Sequence, residues 1–344
     1  MPEPRTPADG PPTLRDVAER VGVSAMTASR ALRDDARVLP ATRERIRAAA
    51  AELGYRPNEV ARSLRLGRGT GLVGLVVTNL ANPFYSRLAL GVDSVIADDG
   101  FKTVIGNTGQ DLDSERELVA DLVARRVDGI IAVPAAADQR HLAAAAADGA
   151  PVVLASRPPE GFDADCVLVD DFGGALAATT RLITRGHRRI GFLGSPPAVY
   201  TGTERLRGYA AALAAHGLPF DERYVRQGQT EPSEARRATA GLLALPEPPT
   251  ALFCSNNRNT IGAFRALRAS GTDTALAGFD DFELADALGL PITLVAYDSD
   301  ELGRAAGRLL AERMRGRGSD TAGKPEPGPA RRIVTPTSLV EYGR

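Results

Sequence analysis

The stretch TLRDVAERVGVSAMTASRAL, residues 13–32, decides the reading of the first domain. Leu14, Val17, Ala18 and Val21 fall at i, i+3, i+4 and i+7, which gives a helix one apolar face. Thr13 stands at its N-cap with Asp16 three residues on, close to the spacing of a capping box. Gly22 ends that helix, and Ser24 can cap a second one at once. Two helices joined by a short glycine-containing turn make a helix-turn-helix. On the second helix Ala28 and Leu32 suit packing inward, whereas Met26 and Arg30, four apart, share an outer face with Ala25 and Ser29 beside them. Small side chains there let a helix approach base edges, and Arg30 can donate twice to guanine O6 and N7. The N-terminal end of such a helix is the part that enters the major groove. A third helix is expected at about Pro40–Leu53, with Ile46, Ala49, Ala50 and Leu53 at the same spacing and Gly54 as its stop. The competing reading is a small three-helix module that binds protein.

Charge supports contact with a polyanion. Residues 1–68 hold 13 arginines and no lysine against 9 acidic residues, a net +4, while the rest of the 344-residue chain stands at −5. A basic head on an acidic body suits a nucleic-acid partner, although the excess is small. The longest apolar runs fall well short of the roughly 18–20 residues of a membrane span. The opening MPEPRTPADGPP (1–12) has no apolar core of the secretory type and is expected to be a disordered tail. Cys166 and Cys254 lie in unrelated apolar segments and read as reduced, buried thiols. His141, His187 and His216 are too scattered for metal-ligand spacing, so neither metal nor cofactor is expected.

After Tyr55-Arg56-Pro57 comes NEVARSLRLGRG (58–69), where Asn58 can cap a short helix and Arg62, Arg65 and Arg68 supply charge. Taken with TRERIRAAAAELGYRPNEVARSLR (42–65), residues 13–32 resemble the amino-terminal region of the LacI/GalR family of bacterial transcription regulators. The resemblance covers the head and hinge nearly residue for residue and the remainder more loosely. It implies a homodimer, or a tetramer, reading double-stranded DNA at a pseudo-palindromic operator. It implies base contacts from Ala25, Met26 and Arg30, and phosphate contacts mainly from Ser24, Thr27 and Ser29, which position without specifying. Leu64 matches the hinge leucine that wedges into the minor groove. Thr13, Asn58, Ala61 and Arg62 complete the set expected at DNA. Two departures stand out in the head: Ala28 replaces a usual valine, and Leu39 replaces the usual serine that caps the third helix.

From Gly71 onward short apolar runs alternate with helical stretches. Candidate strands are GLVGLVVTN (71–79), FKTVIGNT (101–108), VDGIIAVP (127–134), PVVLAS (151–156), RRIGFLGS (188–195), TALFCSN (250–256), TALAGFDD (274–281) and ITLVAYD (292–298). A last strand, TSLVEY (337–342), follows a Gly/Pro-rich loop. Alternating β and α elements predict an α/β fold with parallel sheets and right-handed crossovers. There are too many strands for one compact sheet, so two lobes are expected, and the resemblance implies the architecture of periplasmic sugar-binding proteins. The chain is expected to cross between lobes near Val169–Phe172, Tyr297–Ser299 and Ala330–Ile333. The domain reading is therefore a tail at 1–12, a DNA-binding head at 13–57, a hinge at 58–69, and an effector-binding and dimerisation domain at 70–344.

Ligands of open parallel sheets bind beyond the carboxyl ends of the strands. Those ends carry Asn79, Asn107, Ser156, Ser195, Asn256 and Asp280, a polar set suited to a hydroxyl-rich ligand. Each alone is an ordinary turn former or cap. The resemblance selects Asn256, Asp280, Arg205 and Phe84 as effector-binding residues. Here the sequence departs further from the family. Asn257 replaces the usual aspartate, Arg258 adds a charge, Asn259 replaces an apolar side chain, and Ser156-Arg157 replaces Asp-Arg. These exchanges suggest a polar, even anionic, sugar derivative as effector, against neutral drift as the alternative.

The resulting expectation is a cytoplasmic, nucleoid-associated transcriptional regulator, a repressor in preference to an activator, with a carbohydrate-like effector in the cleft. The alternative is a solute receptor of the same body fold without a regulatory role. An enzyme is not expected, because neither the full phosphate-loop motif G-x-x-x-x-G-K-[ST] nor G-x-S-x-G occurs and no paired catalytic constellation is present.

Overall fold

Thr13 accepts from the backbone N–H of Asp16 at 3.4 Å while its own N–H donates to the Asp16 carboxylate at 2.7 Å, so the capping box forms. It opens α1 (Leu14–Val21), which stops at Gly22 in the left-handed conformation at φ 74°. Ser24 caps α2 (Ala25–Ala31), and α3 runs over Pro40–Glu52. Their shared core is Val17, Ala18, Ala28, Ala31, Val38, Ile46, Ala49 and Ala50. Val17 and Ile46 are fully buried, and each such side chain contributes about 1.5–3 kcal/mol. Leu39 at the N-cap of α3 makes no side-chain capping bond and is 74% exposed.

The computed structural model describes residues 11–56, 69–316 and 328–343. The chain divides after Thr70 into two compact units, the first holding the three helices. Asn58, Ala61, Arg62 and Leu64, and with them the expected hinge helix, lie outside the described residues, as does most of the expected tail.

The second unit contains two six-stranded sheets. The first lobe is built from β1 (Leu72–Val77), β2 (Lys102–Asn107), β3 (Gly129–Ala132), β4 (Val152–Ala155), β5 (Asp165–Val169) and β11 (Arg332–Thr335). Their order is β11-β5-β4-β3-β1-β2, all parallel. The second lobe holds β6 (Ile190–Leu193), β7 (Val225–Arg226), β8 (Ala251–Cys254), β9 (Ala275–Phe279), β10 (Ile292–Ala296) and β12 (Ser338–Tyr342). Its order is β12-β10-β9-β8-β6-β7, and only β12 runs antiparallel. Helices α4 (Pro83–Ile96), α5 (Leu112–Ala124), α6 (Arg140–Ala147), α7 (Asp171–Thr184), α8 (Tyr200–Ala215), α9 (Pro232–Leu243), α10 (Asn257–Ser270) and α11 (Ser299–Arg315) connect the strands. The inner strands are buried on both faces, as βαβ crossovers require. No helix among the described residues is long and apolar enough to cross a membrane.

Chain passages between the lobes position everything that follows. β5 belongs to the first lobe and α7 packs on the second, so one crossing falls at Asp170; another, at Tyr297–Asp298, joins β10 to α11. Both lie where expected. The third does not. Residues 332–335 pair in parallel with β5, Arg332 opposite Cys166, and remain in the first lobe. The crossing is therefore Pro336–Thr337, later than Ala330–Ile333, at a proline that has no N–H to continue the ladder. Close helix packing fixes the second crossing: a Cβ on Gly91 of α4 would collide with the Asp300 carbonyl of α11, and one on Gly303 with the Leu88 carbonyl. β5, β7 and β11 fall outside the strand runs expected from sequence.

Candidate functional site

In the first unit the outer face of α2 is available to a partner. Ala25 and Met26 are exposed, Met26 at 63%, while Ala28 and Ala31 are fully buried on the opposite side. Ser29 and Arg30 are partly exposed, and Arg30 makes no side-chain hydrogen bond to another described residue. Ser24 Oγ accepts from the Thr27 N–H at 3.1 Å and lies 2.9 Å from Thr27 Oγ1, so these two hydroxyls brace the start of the helix. Thr13 and Ser24 both sit exposed at helix N-termini, where backbone N–H groups favour anions. Other arginines are engaged locally: Arg37 with Asp35 at 2.7 Å, Arg47 with Asp34, and Arg45 with the Val21 carbonyl at 3.0 Å.

Between the lobes of the second unit lies a cavity of about 340 Å³. The six strand-end residues named from sequence, Asn79, Asn107, Ser156, Ser195, Asn256 and Asp280, all line it. So do Phe84 and Arg205, so the four residues selected as effector-binding come together in one cleft. Ser156 and Asp280 hold left-handed backbone, φ 66° and 68°, where β4 and β9 turn away from their sheets. Such geometry in a non-glycine residue costs on the order of 1 kcal/mol and clusters at ligand sites.

Arg205 projects from α8 with its guanidinium 3.6 Å from the centre of the Phe279 ring. Its Nε and Nη2 both donate to Asp171 Oδ1 at 2.7 Å, and Nη1 donates to the Ser255 carbonyl at 2.5 Å. Nη1 also lies 3.5 Å from Asp280 Oδ1, which accepts from the Tyr297 hydroxyl at 2.9 Å. Burial works against the Arg205 charge, but Asp171 and Asp280 overcome it and raise its pKa. Burial pushes the Asp171 carboxyl up to about 6, with Asp280 and Glu204 adding repulsion and Arg205 opposing. The Tyr297 phenol is driven well above its ordinary value by burial and by Asp280.

Asn256 caps α10, accepting from the Asn259 N–H at 2.8 Å, while its Nδ2 donates to Ser195 Oγ at 3.1 Å. Phe84 is partly buried and lies 6.1 Å from Tyr297 between ring centres, an apolar wall in a polar cleft. Across the cleft, Arg157 donates to the Pro134 carbonyl and, at 3.0 Å, to Gln110 Oε1. Arg258 pairs with Glu231 and donates to the Thr230 carbonyl at 3.1 Å.

Several site residues escaped the sequence reading: Asp171, Tyr297, Asn82, Gln110 and Glu231. Asp171 and Tyr297 adjoin the two correctly placed crossings, and that adjacency was the only signal pointing at them. Among the described residues no group of His, Cys, Asp or Glu is arranged to hold a metal ion.

Residues 70–322 match the family described as periplasmic binding proteins and sugar binding domain of the LacI family, and residues 13–58 match bacterial regulatory proteins, lacI family. The HTH-type transcriptional regulator CelR of Thermobifida fusca is 36% identical over 317 residues, 89% of this chain and 92% of the relative. The HTH-type transcriptional repressor CytR of Escherichia coli is 29% identical, covering 88% and 90%. Among solved structures, a transcriptional regulator CelR–cellobiose complex aligns with TM-score 0.71 at 33% identity, over 97% of this chain and 100% of that one. The Lac repressor dimer bound to operator and the anti-inducer ONPF aligns with TM-score 0.78 at 26% identity, over 96% and 98%.

Proposed function

The chain belongs to the LacI family of bacterial regulatory proteins, a DNA-binding transcriptional regulator with a small-molecule effector domain, and we propose that it is a repressor whose effector is a neutral carbohydrate held in the cleft. One observation carries this reading: six polar strand-end residues, Arg205 and the Phe84 ring line a single cavity between lobes. Paired donors and acceptors beside an aromatic wall suit the hydroxyls and the apolar face of a sugar. A receptor without a regulatory role does not account for the helix-turn-helix. The anionic effector suggested by Arg258 loses support, because Glu231 already engages that guanidinium. Arg205 is likewise shared by Asp171 and Asp280. CelR, solved with cellobiose, makes a disaccharide the first compound to try.

We assign base reading to Ala25, Met26 and Arg30 and phosphate contacts to Thr13, Ser24, Thr27 and Ser29. Asn58, Ala61, Arg62 and Leu64 remain assigned to the hinge from sequence resemblance, and residues 13–57, 58–69 and 70–344 to head, hinge and effector domain. The working form is a homodimer on nucleoid DNA. Leu90 on α4 and Val104 and Ile105 on the edge strand β2 are exposed at 63%, 42% and 45%, an apolar margin suited to a second copy. Calorimetry with cellobiose and a panel of neutral sugars tests the assignment. A sugar that binds the wild-type protein and loses at least tenfold in affinity with Asp280→Ala supports it. Binding only by acidic or phosphorylated sugars contradicts it.

A further inference from the structure

We propose that Asp171 is the positioning residue for Arg205 and makes effector affinity depend on its own state of ionisation. The inference rests on the reading of the cleft given above. Asp171 opens α7 immediately after the chain crosses between lobes, and Tyr297 begins the second crossing. Asp171, Arg205, Asp280 and Tyr297 form one chain of contacts at 2.7, 3.5 and 2.9 Å, so the cleft is wired to both passages. Asp171 itself does not line the cavity, whereas Arg205 and Asp280 do. It therefore acts through Arg205, by fixing the plane of the guanidinium.

The carboxylate is used unevenly. Oδ1 takes both bonds from Arg205, while Oδ2 is buried with no hydrogen-bond partner. A proton can be added at Oδ2 without displacing the arginine from Oδ1, but it removes the charge that holds the cation there. Arg205 Nη1 already stands near Asp280, the remaining carboxylate in reach. Once Asp171 is neutral, the guanidinium is drawn toward Asp280 and competes with the effector for it. The charged and titratable groups facing Asp171 are Arg205 and Glu204 on α8, Asp280 after β9, Tyr297 after β10, Arg157 after β4 and Tyr200 at the start of α8. Burial together with the acidic members of this set favours the neutral carboxyl, so the transition falls within reach of mildly acidic conditions.

Two measurements on the full-length protein test this. The Arg205 Nε–H resonance, followed by NMR without ligand, should be ordered at pH 7.5 and broaden or shift as pH falls through about 6. Asp171→Asn should show the acidic form of that signal at every pH. Cellobiose, or the neutral sugar of the panel that binds best, should bind wild type roughly tenfold more weakly at pH 5 than at pH 7.5, the coupling expected of linked sites. Asp171→Asn should bind weakly and without this pH dependence. A wild-type Arg205 signal that ignores pH, or an affinity profile kept intact in Asp171→Asn, overturns the proposal. If no neutral sugar binds at any pH, the carbohydrate assignment fails while the Arg205 signal still decides the role of Asp171. If the variant does not fold, the wild-type titration of that signal decides alone.

Discussion

Asn257 Nδ2 donates to Asn82 Oδ1 at 2.9 Å, a bond that joins the start of α10 in one lobe to the N-cap of α4 in the other. The same Asn82 oxygen accepts from the Phe84 N–H at 3.0 Å and so holds an aromatic wall of the cleft. Asn82 cannot flip its amide without giving up that cap. Arg258, the next residue, reaches the Ala81 carbonyl at 3.5 Å, so the exchange of aspartate for asparagine at 257 sits within a neutral clasp between lobes.

Removing the clasp should loosen the pairing of the lobes. Asn257→Ala deletes the donor while leaving the Asn82 cap intact. The expected loss of stability is about 1 kcal/mol, measured by urea unfolding, with a change in effector affinity in the same protein. Unchanged stability together with unchanged affinity would show that the bond has no role in holding the lobes.

On the proposed assignment, readout of DNA should rest chiefly on Arg30, because Ala25 and Met26 offer only apolar contact. Arg30→Ala should cost about 1–3 kcal/mol per half-site and relax preference at one base pair. A polar replacement of Met26 should redirect preference while leaving general DNA affinity in place. Selection from random duplexes, followed by competition binding, separates these outcomes. An unaltered consensus in the Arg30 variant is the result that sinks its assignment.

Leu39 leaves α3 without a side-chain cap and exposes an apolar residue at its start. Leu39→Ser should supply the missing acceptor and stabilise the head by about 0.5–1 kcal/mol. The converse change, Ser24→Ala, removes the bond to Thr27 and should cost a similar amount. Thermal melting of the full chain, followed by a probe in the head, reads both.

Asp171 gives stability a pH dependence with a definite sign. Its carboxyl is pushed up to about 6 in the folded protein, so the native state binds the proton more tightly than the unfolded chain. The stabilisation from that proton is complete below about pH 4 and is lost as pH rises through about 6. The stability of wild type relative to Asp171→Asn should therefore fall between pH 4 and 6, by roughly 2 kcal/mol, and stay level above 7. Urea unfolding of both proteins across this range checks it. A difference that rises with pH contradicts the assignment.

Local chemistry explains what was legible in the sequence. Thr13 with Asp16, Gly22 and Ser24 act within three or four residues of themselves, so α1 and α2 could be placed from spacing alone. The polar ends of the central strands converge because parallel strands place their carboxyl ends on one side, which made the cleft readable too. β11 was missed because it is an exposed edge strand, Arg332–Thr335, without a continuous apolar run, and the third crossing moved with it. Asp171 and Glu231 were missed because their roles depend on arginines 34 and 27 residues away. No periodicity marks such pairs. The anionic effector was suggested by the exchanges at Ser156-Arg157, Asn257, Arg258 and Asn259 taken together, without sight of the Glu231 carboxylate that engages Arg258.

Whether the cleft ligand controls DNA binding is read from the affinity of the full-length protein for a genomic operator fragment, measured with and without a saturating neutral sugar. The sugar should change operator affinity in wild type by about 5–150-fold and change nothing in Asp280→Ala, while both proteins bind the operator equally when no sugar is present. An operator affinity that the bound sugar leaves untouched in wild type would contradict such control.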